Sequence, residues 1–219
     1  MVLGGALLVW LALVQAPSFV GRAGFTAPLT WKLFFFHVPI AFASFAAFAI
    51  AFYQSVRYLA RPETTRDQAA QSAVEAGLLF AGLTLVTGMI WGQAEWGVAW
   101  RWGDAKLVVV LLMFLLYAAY AALRRQIDDP ERRARVSAVY ATAGFATVPL
   151  AWFAQRIWLS FHPTVFGTDQ ADAGVVTPGI LPIFLLALVV FGAVLASFYR
   201  RRLRYLAWES QQAEKEESA

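Results

Sequence analysis

The chain has no cysteine among its 219 residues. That excludes a disulfide framework, a thiolate metal site and a CxxC redox relay, and it leaves the protein indifferent to an oxidising compartment. Charge is scarce as well. Asp, Glu, Lys and Arg make up 15% of the residues, where a soluble domain carries about a quarter. No GxxxxGK[ST] run is present, so the chain lacks a phosphate-cradling loop and any ATPase signature. No Ser/His/Asp arrangement stands out, and no internal repeat or composition break marks a second domain. Histidine occurs only twice, at His37 and His162.

What fills the chain instead is apolar. Hydrophobic residues make up 60% of it and the mean hydropathy is +0.58. These values predict a single all-α integral membrane domain over residues 1–219. A span needs about 20 apolar residues, and six runs qualify or nearly do. The first covers 1–14; it is short, lacks the basic start of a signal peptide, and is read as a membrane helix extending to about Val20. The others are 32–56, 74–90, 105–123, 136–156 and 179–199. Alanines 43, 47 and 51 recur at helical spacing in the second, which suits close packing in lipid. Pro39 falls near its start, and Pro178 can open the sixth at its first turn. Between the spans lie charged loops at 57–72 and 124–135 and a longer loop at 157–178, with a polar tail at 200–219.

Basic residues set the orientation. Thirteen lie on one side, in 57–72, 124–135 and the tail; five lie on the other, namely Arg22, Lys32, Arg101, Lys106 and Arg156. Both termini are therefore expected to be cytoplasmic. The net charge of +4 reflects this distribution and not a nucleic-acid patch. The seven tyrosines fall near the predicted inner interface.

Residues 91–104, Trp-Gly-Gln-Ala-Glu-Trp-Gly-Val-Ala-Trp-Arg-Trp-Gly-Asp, hold four of the nine tryptophans. On the predicted topology they form a polar-edged outer segment. Indoles favour the membrane boundary, so Trp91, Trp96, Trp100 and Trp102 form either an interfacial anchor or a platform for a flat aromatic ligand, and their number favours the platform. Both histidines fall on the same outer side. A lone interfacial histidine is commonly structural; two on the face that carries the tryptophans fit axial ligation of a macrocyclic iron. Zinc fits less well, with no cysteine and no regular acidic spacing. Arg101, Lys106 and Arg156 fit the propionates of a haem and fit snorkelling interface residues equally.

These residues carry a resemblance. The run from Trp91-Gly and Trp96-Gly through Trp100-x-Trp102 to Asp104 resembles the tryptophan-rich WWD signature of haem-handling proteins in cytochrome c biogenesis. Lys32 to Phe36 followed by His37-Val38-Pro39 resembles the outer histidine motif of the CcmC branch. Val148-Pro149-x-x-x-Phe153 with Trp158-x-x-x-His162 is similar to the segment ending in its second outer histidine. The match covers most of 32–162. It implies a relay without turnover chemistry, in a bacterial cytoplasmic membrane, that holds haem (haem b) on its periplasmic side. His37 and His162 would be the axial ligands, and Trp91, Trp96, Trp100, Trp102 and Asp104 the platform. The implied partners are a CcmE-like haem chaperone, the ABC transporter subunits CcmA and CcmB, and a small CcmD-like membrane protein. The synthase-type relatives CcsA and CcmF are less similar. The chain departs from the pattern where Gly103 separates Trp102 from Asp104, where Ala99 precedes Trp100, and where Pro163 follows His162. Two other readings remain: a haem or small-molecule transporter subunit, which the almost wholly apolar spans disfavour, and a structural subunit without haem.

Overall fold

The computed structural model describes residues 2–16, 27, 30–158, 160–166 and 176–217. All elements among them are helical. Helix α1 (Val2–Trp10) continues into a π turn at Leu11–Gln15, and a 3-10 turn at Thr30–Leu33 leads into α2 (Phe34–Ala60). Then come α3 (Thr64–Trp96), α4 (Ala105–Arg125), α5 (Pro130–Gly144), α6 (Thr147–Ile157) and α7 (Leu181–Glu217). Five segments are long and apolar enough to cross a membrane, with α5 and α6 acting together as one of them across a break at 145–146. The first apolar helix ends at Gln15 and is shorter than the rest. Its expected extension to Val20 lies outside the described residues.

The helices run further than hydropathy alone predicts. Residues 57–72, expected as a loop, are helical except for a short link between Ala60 and Thr64. At about 1.5 Å per residue, α3 is roughly 50 Å long and α7 roughly 55 Å, well beyond a hydrocarbon core of about 30 Å. The polar segment 200–217 is therefore the end of a helix and not a separate tail. The charges in 57–72 explain why it folds. Asp67, Gln71 and Glu75 stand one above another on α3 at four-residue spacing. The Arg124 guanidinium donates to Asp67 at 2.7 Å and to Gln71 at 3.1 Å. Gln71 donates to Glu75 at 2.9 Å, and Glu75 in turn accepts from Arg202 at 3.0 Å. This ladder ties α4 and α7 to α3.

The core is laid between α2 and its neighbours. The alanine stripe Ala43, Ala47 and Ala51 is buried, as close helix packing requires. Phe48 stacks on Tyr117 with ring centres 3.7 Å apart. Tyr58, Tyr117 and Tyr120 are buried in the protein rather than placed as interfacial anchors. A second cluster joins Leu8, Trp31, Phe34, Phe35, Trp91, Val165 and Phe184, so α1, α7 and the loop after α6 close over the first turns of α2.

Local chemistry then places the functional ends. Gly97 adopts φ +71° and stops α3, its N–H donating to the Gln93 carbonyl at 3.1 Å; a left-handed residue after the last turn is the usual role of glycine. Trp91 and Trp96 are thus in the final turns of α3, and only 97–104 is a loop. Asp104 caps α4 by accepting from Lys106 N at 3.0 Å and Leu107 N at 3.3 Å.

Candidate functional site

His37 sits in the first turns of α2, and His162 in the loop that follows α6. The fold brings these two rings together: their centres are 6.1 Å apart with planes tilted by 38°. A metal–imidazole bond is about 2.0–2.1 Å and the nitrogen stands about 1.1 Å from its ring centre, so two imidazoles that both point at one iron place their centres about 6.3 Å apart. The separation fits.

The tautomers fit as well. His162 Nδ1 lies 3.0 Å from the Pro163 carbonyl, an acceptor only, so Nδ1 carries the proton and Nε2 the lone pair. His37 Nδ1 lies 2.8 Å from Thr87 Oγ1. Burial above all, then the Lys106 cation and the neighbouring His37, hold the His162 imidazole well below the usual histidine range. It is the neutral, metal-binding form at neutral pH.

Two clefts meet at this pair. One, of about 350 Å³, is lined by Phe34, Trp91, Pro163 and both histidines. The other, of about 750 Å³, reaches between α2, α3, α4 and α6 and is lined by Phe42, Met89, Trp100, Lys106, Trp152 and both histidines.

The tryptophans are not one plane. Trp91 packs edge-to-face on Trp96, with centres 4.8 Å apart, and lies 5.9 Å from the His162 ring. Trp100 packs edge-to-face on Trp102 at 5.7 Å. Trp91 is buried, Trp100 lines the larger cleft, and Trp102 is 75% exposed. The four indoles therefore occupy different surroundings: core, cleft wall and solvent or lipid.

The charged candidates also separate. Asp104 is 1% exposed. Besides capping α4, it accepts from Ser160 Oγ at 2.9 Å and from Phe161 N at 2.8 Å. Its observed contacts are thus to the loop that presents His162. The Arg101 guanidinium lies over Phe161 at 4.7 Å and over Trp96 at 5.3 Å. Arg101 Nε and Trp100 Nε1 are buried and have no acceptor among the described residues. Buried donors without acceptors are costly in a bundle, and a carboxylate-bearing ligand would satisfy them. Lys106 is buried, 5.9 Å from the Trp152 ring centre, and lines the larger cleft. Arg156 is exposed and donates to the Phe166 carbonyl at 2.8 Å, outside both clefts. Asp169 and Asp172 lie outside the described residues.

Thr87 and Ser160, each bonded to a principal residue, were not legible in the sequence. Neither belongs to a motif; only the presence of a hydroxyl within an apolar run pointed to Thr87.

Comparison with known proteins places the chain in a family. The family model described as heme exporter protein C (CcmC) matches residues 1–217. A heme exporter protein C of Bradyrhizobium diazoefficiens is 30% identical over 212 residues, covering 93% of this chain and 80% of that protein. The protein of that name from Paracoccus denitrificans is 31% identical over 162 residues, covering 70% and 67%. That of Haemophilus influenzae is 27% identical over 205 residues, covering 94% and 79%.

Proposed function

The chain belongs to the heme exporter protein C family, and from that membership we propose that it holds haem between His37 and His162 and passes it to a CcmE-like chaperone during cytochrome c maturation. One observation carries the reading. The chain's two histidines, from α2 and from the loop after α6, lie with ring centres 6.1 Å apart, a separation suited to one iron between them. Haem is the cargo here and supplies no chemistry that the chain turns over.

The surrounding residues have separable tasks. Neutral imidazoles offer Nε2 to the iron. The apolar cleft walls exclude water from the macrocycle. Trp100 Nε1 and the Lys106 ammonium, both at the larger cleft, are donors for propionates; Arg101 lines neither cleft and packs over Trp96 and Phe161. With no cysteine to form a thioether, the chain holds haem without a covalent link, which favours haem b. Arg156 stands outside the clefts and acts on the loop through its bond to the Phe166 carbonyl. The absence of a nucleotide loop makes CcmA and CcmB the source of any ATP-driven step, with a CcmD-like protein as a further subunit. Thirteen basic residues against five orient the histidines toward the periplasm of a bacterial inner membrane.

The test is an absorption spectrum of purified protein titrated with hemin, for wild type, His37→Ala, His162→Ala and the double variant. Wild type should give a six-coordinate low-spin spectrum, and each single variant should lose it and regain part of it with added imidazole. A low-spin spectrum that persists in the double variant would sink the ligand assignment.

A further inference from the structure

His37 is held by α3 in a manner no motif announces. Its Nδ1 lies 2.8 Å from Thr87 Oγ1. Thr87 Oγ1 is in turn 2.8 Å from the Leu83 carbonyl and 3.2 Å from that of Thr84, one turn back on the same helix. A hydroxyl has one proton, and a carbonyl can only accept. The Thr87 proton therefore goes to the backbone, and the remaining lone pairs of Oγ1 face His37. The imidazole must donate from Nδ1, and its lone pair is left on Nε2.

The next residue shapes the same contact. A Cβ on Gly88 would stand 3.1 Å from His37 Cε1, 3.9 Å from Nδ1 and 4.0 Å from Nε2. Gly88 therefore lets the imidazole lie against the α3 backbone. One turn further along, Trp91 lies 5.9 Å from the His162 ring. A single stretch of α3 thus supports both histidines.

We propose that Thr87 is the positioning residue for His37: its hydroxyl accepts the Nδ1–H, fixes the tautomer and aims Nε2 at the iron, while Gly88 leaves room for the ring. The proposal rests on the haem reading above. Partners that hold the second nitrogen of a ligating histidine raise its basicity and fix its orientation, and losing one typically costs about 10–100-fold in metal affinity. Thr87→Val keeps the shape and removes the acceptor. Thr87→Ser keeps the acceptor.

The experiment is hemin titration and potentiometry of the purified full chain for wild type, Thr87→Val, Thr87→Ser and Gly88→Ala, with Thr87→Val also placed on His37→Ala. Thr87→Val should bind hemin about 10–100-fold more weakly, with a smaller low-spin fraction and a more positive midpoint potential, because a less basic imidazole stabilises the oxidised iron less. Thr87→Ser should restore affinity and potential. Gly88→Ala should lower the low-spin fraction by displacing the ring. On His37→Ala, Thr87→Val should cost nothing further, since its effect passes through His37. A wild-type protein without a low-spin spectrum would overturn the haem reading itself. A low-spin wild type with unchanged affinity and potential in Thr87→Val, or equal losses with and without His37, would overturn the role of Thr87 alone.

Discussion

The Asp104 carboxylate and the Ser160 hydroxyl meet across two loops, at 2.9 Å to one carboxylate oxygen and 3.0 Å to the other. Ser160 Oγ also accepts the His162 N–H at 3.1 Å. The last residue of the tryptophan segment is therefore one hydroxyl away from a candidate iron ligand. The same carboxylate caps α4 and takes the Phe161 N–H. It couples the start of a membrane helix to the placement of His162.

Asp104→Asn tests that coupling. The amide keeps one acceptor oxygen and turns an NH2 toward groups that are themselves donors. Hydrogen bonds to charged groups are worth about 1.5–3 kcal/mol each, so losing one that acts through His162 corresponds to roughly a 10–150-fold fall in hemin affinity. The low-spin fraction should drop, and added imidazole should recover part of it by replacing the displaced ring. Ser160→Ala should show the same pattern in weaker form. Hemin titrations of the two variants that match wild type would show that the latch is indifferent to the ligand.

The polar ladder on α3 is a stability element. The side chains of Arg124 and Asp67 are only 10% and 14% exposed. Removing one member of a buried ion pair leaves the other uncompensated, at a cost of about 3–5 kcal/mol. Arg124→Ala should accordingly lower the thermal midpoint of the detergent-solubilised protein. Arg124→Leu combined with Asp67→Leu should be closer to wild type, since it leaves no orphaned charge. Asp67 is some 20 residues from Thr87 along α3, or about 30 Å at 1.5 Å per residue, so the spectrum of the folded fraction should not change. Circular dichroism melts decide it: an Arg124→Ala midpoint equal to wild type would mean the pair contributes nothing.

This ladder also shows where sequence reading stops. Runs of apolar residues located the middle of each of the five long apolar segments, because burial in lipid is written in composition. They misplaced the ends, because Asp67 and Gln71 look like a solvated loop until their partner Arg124 on α4 is known. The motif around His37 and the tryptophan run pointed to residues that the fold brings together, His37 and His162 with Trp91 and Trp100 beside them, and the positive-inside count predicts both histidines on one side. The division of the tryptophans was hidden, since helix α3 carries Trp91 and Trp96 while a loop carries Trp100 and Trp102. Gly103 looked like a disturbance of the platform; in the fold it precedes the capping Asp104, whose contacts lie with residues 160 and 161. Thr87 was hidden for the same reason as the ladder: its partner is on another helix.

Topology gives the third prediction. Gln93 and Arg132 are exposed at opposite ends of the expected arrangement. The chain has no native cysteine, so single cysteines report without background. Gln93→Cys should react with a membrane-impermeant maleimide in spheroplasts, and Arg132→Cys only after lysis. The reverse pattern would place the histidines on the cytoplasmic side and remove the basis for handover to a periplasmic chaperone.

The tryptophans should divide by task as they divide in space. Trp100 lines the larger cleft and has a buried N–H without an acceptor among the described residues. Trp102 is 75% exposed and touches Trp100 edge-on. An aromatic wall against a flat ligand is worth about 1–3 kcal/mol where it has been measured for stacked bases, roughly 5–150-fold in affinity. Trp100→Ala should therefore weaken hemin retention on that scale without preventing membrane insertion. Trp102→Ala should leave retention near wild type, because its removal opens no cleft. Exposed tryptophans are frequent anchors at protein interfaces, so Trp102→Ala should instead slow transfer to a CcmE-like acceptor. Trp96 belongs with retention, since it packs on Trp91 and lies under the Arg101 guanidinium. Two assays on the same preparations separate these roles: hemin dissociation to an apoprotein scavenger, and haem delivery to a purified acceptor. Equal dissociation rates in wild type, Trp96→Ala and Trp100→Ala would reduce the segment to a membrane anchor. Faster hemin dissociation from Trp102→Ala with normal delivery would reverse the division proposed for the loop.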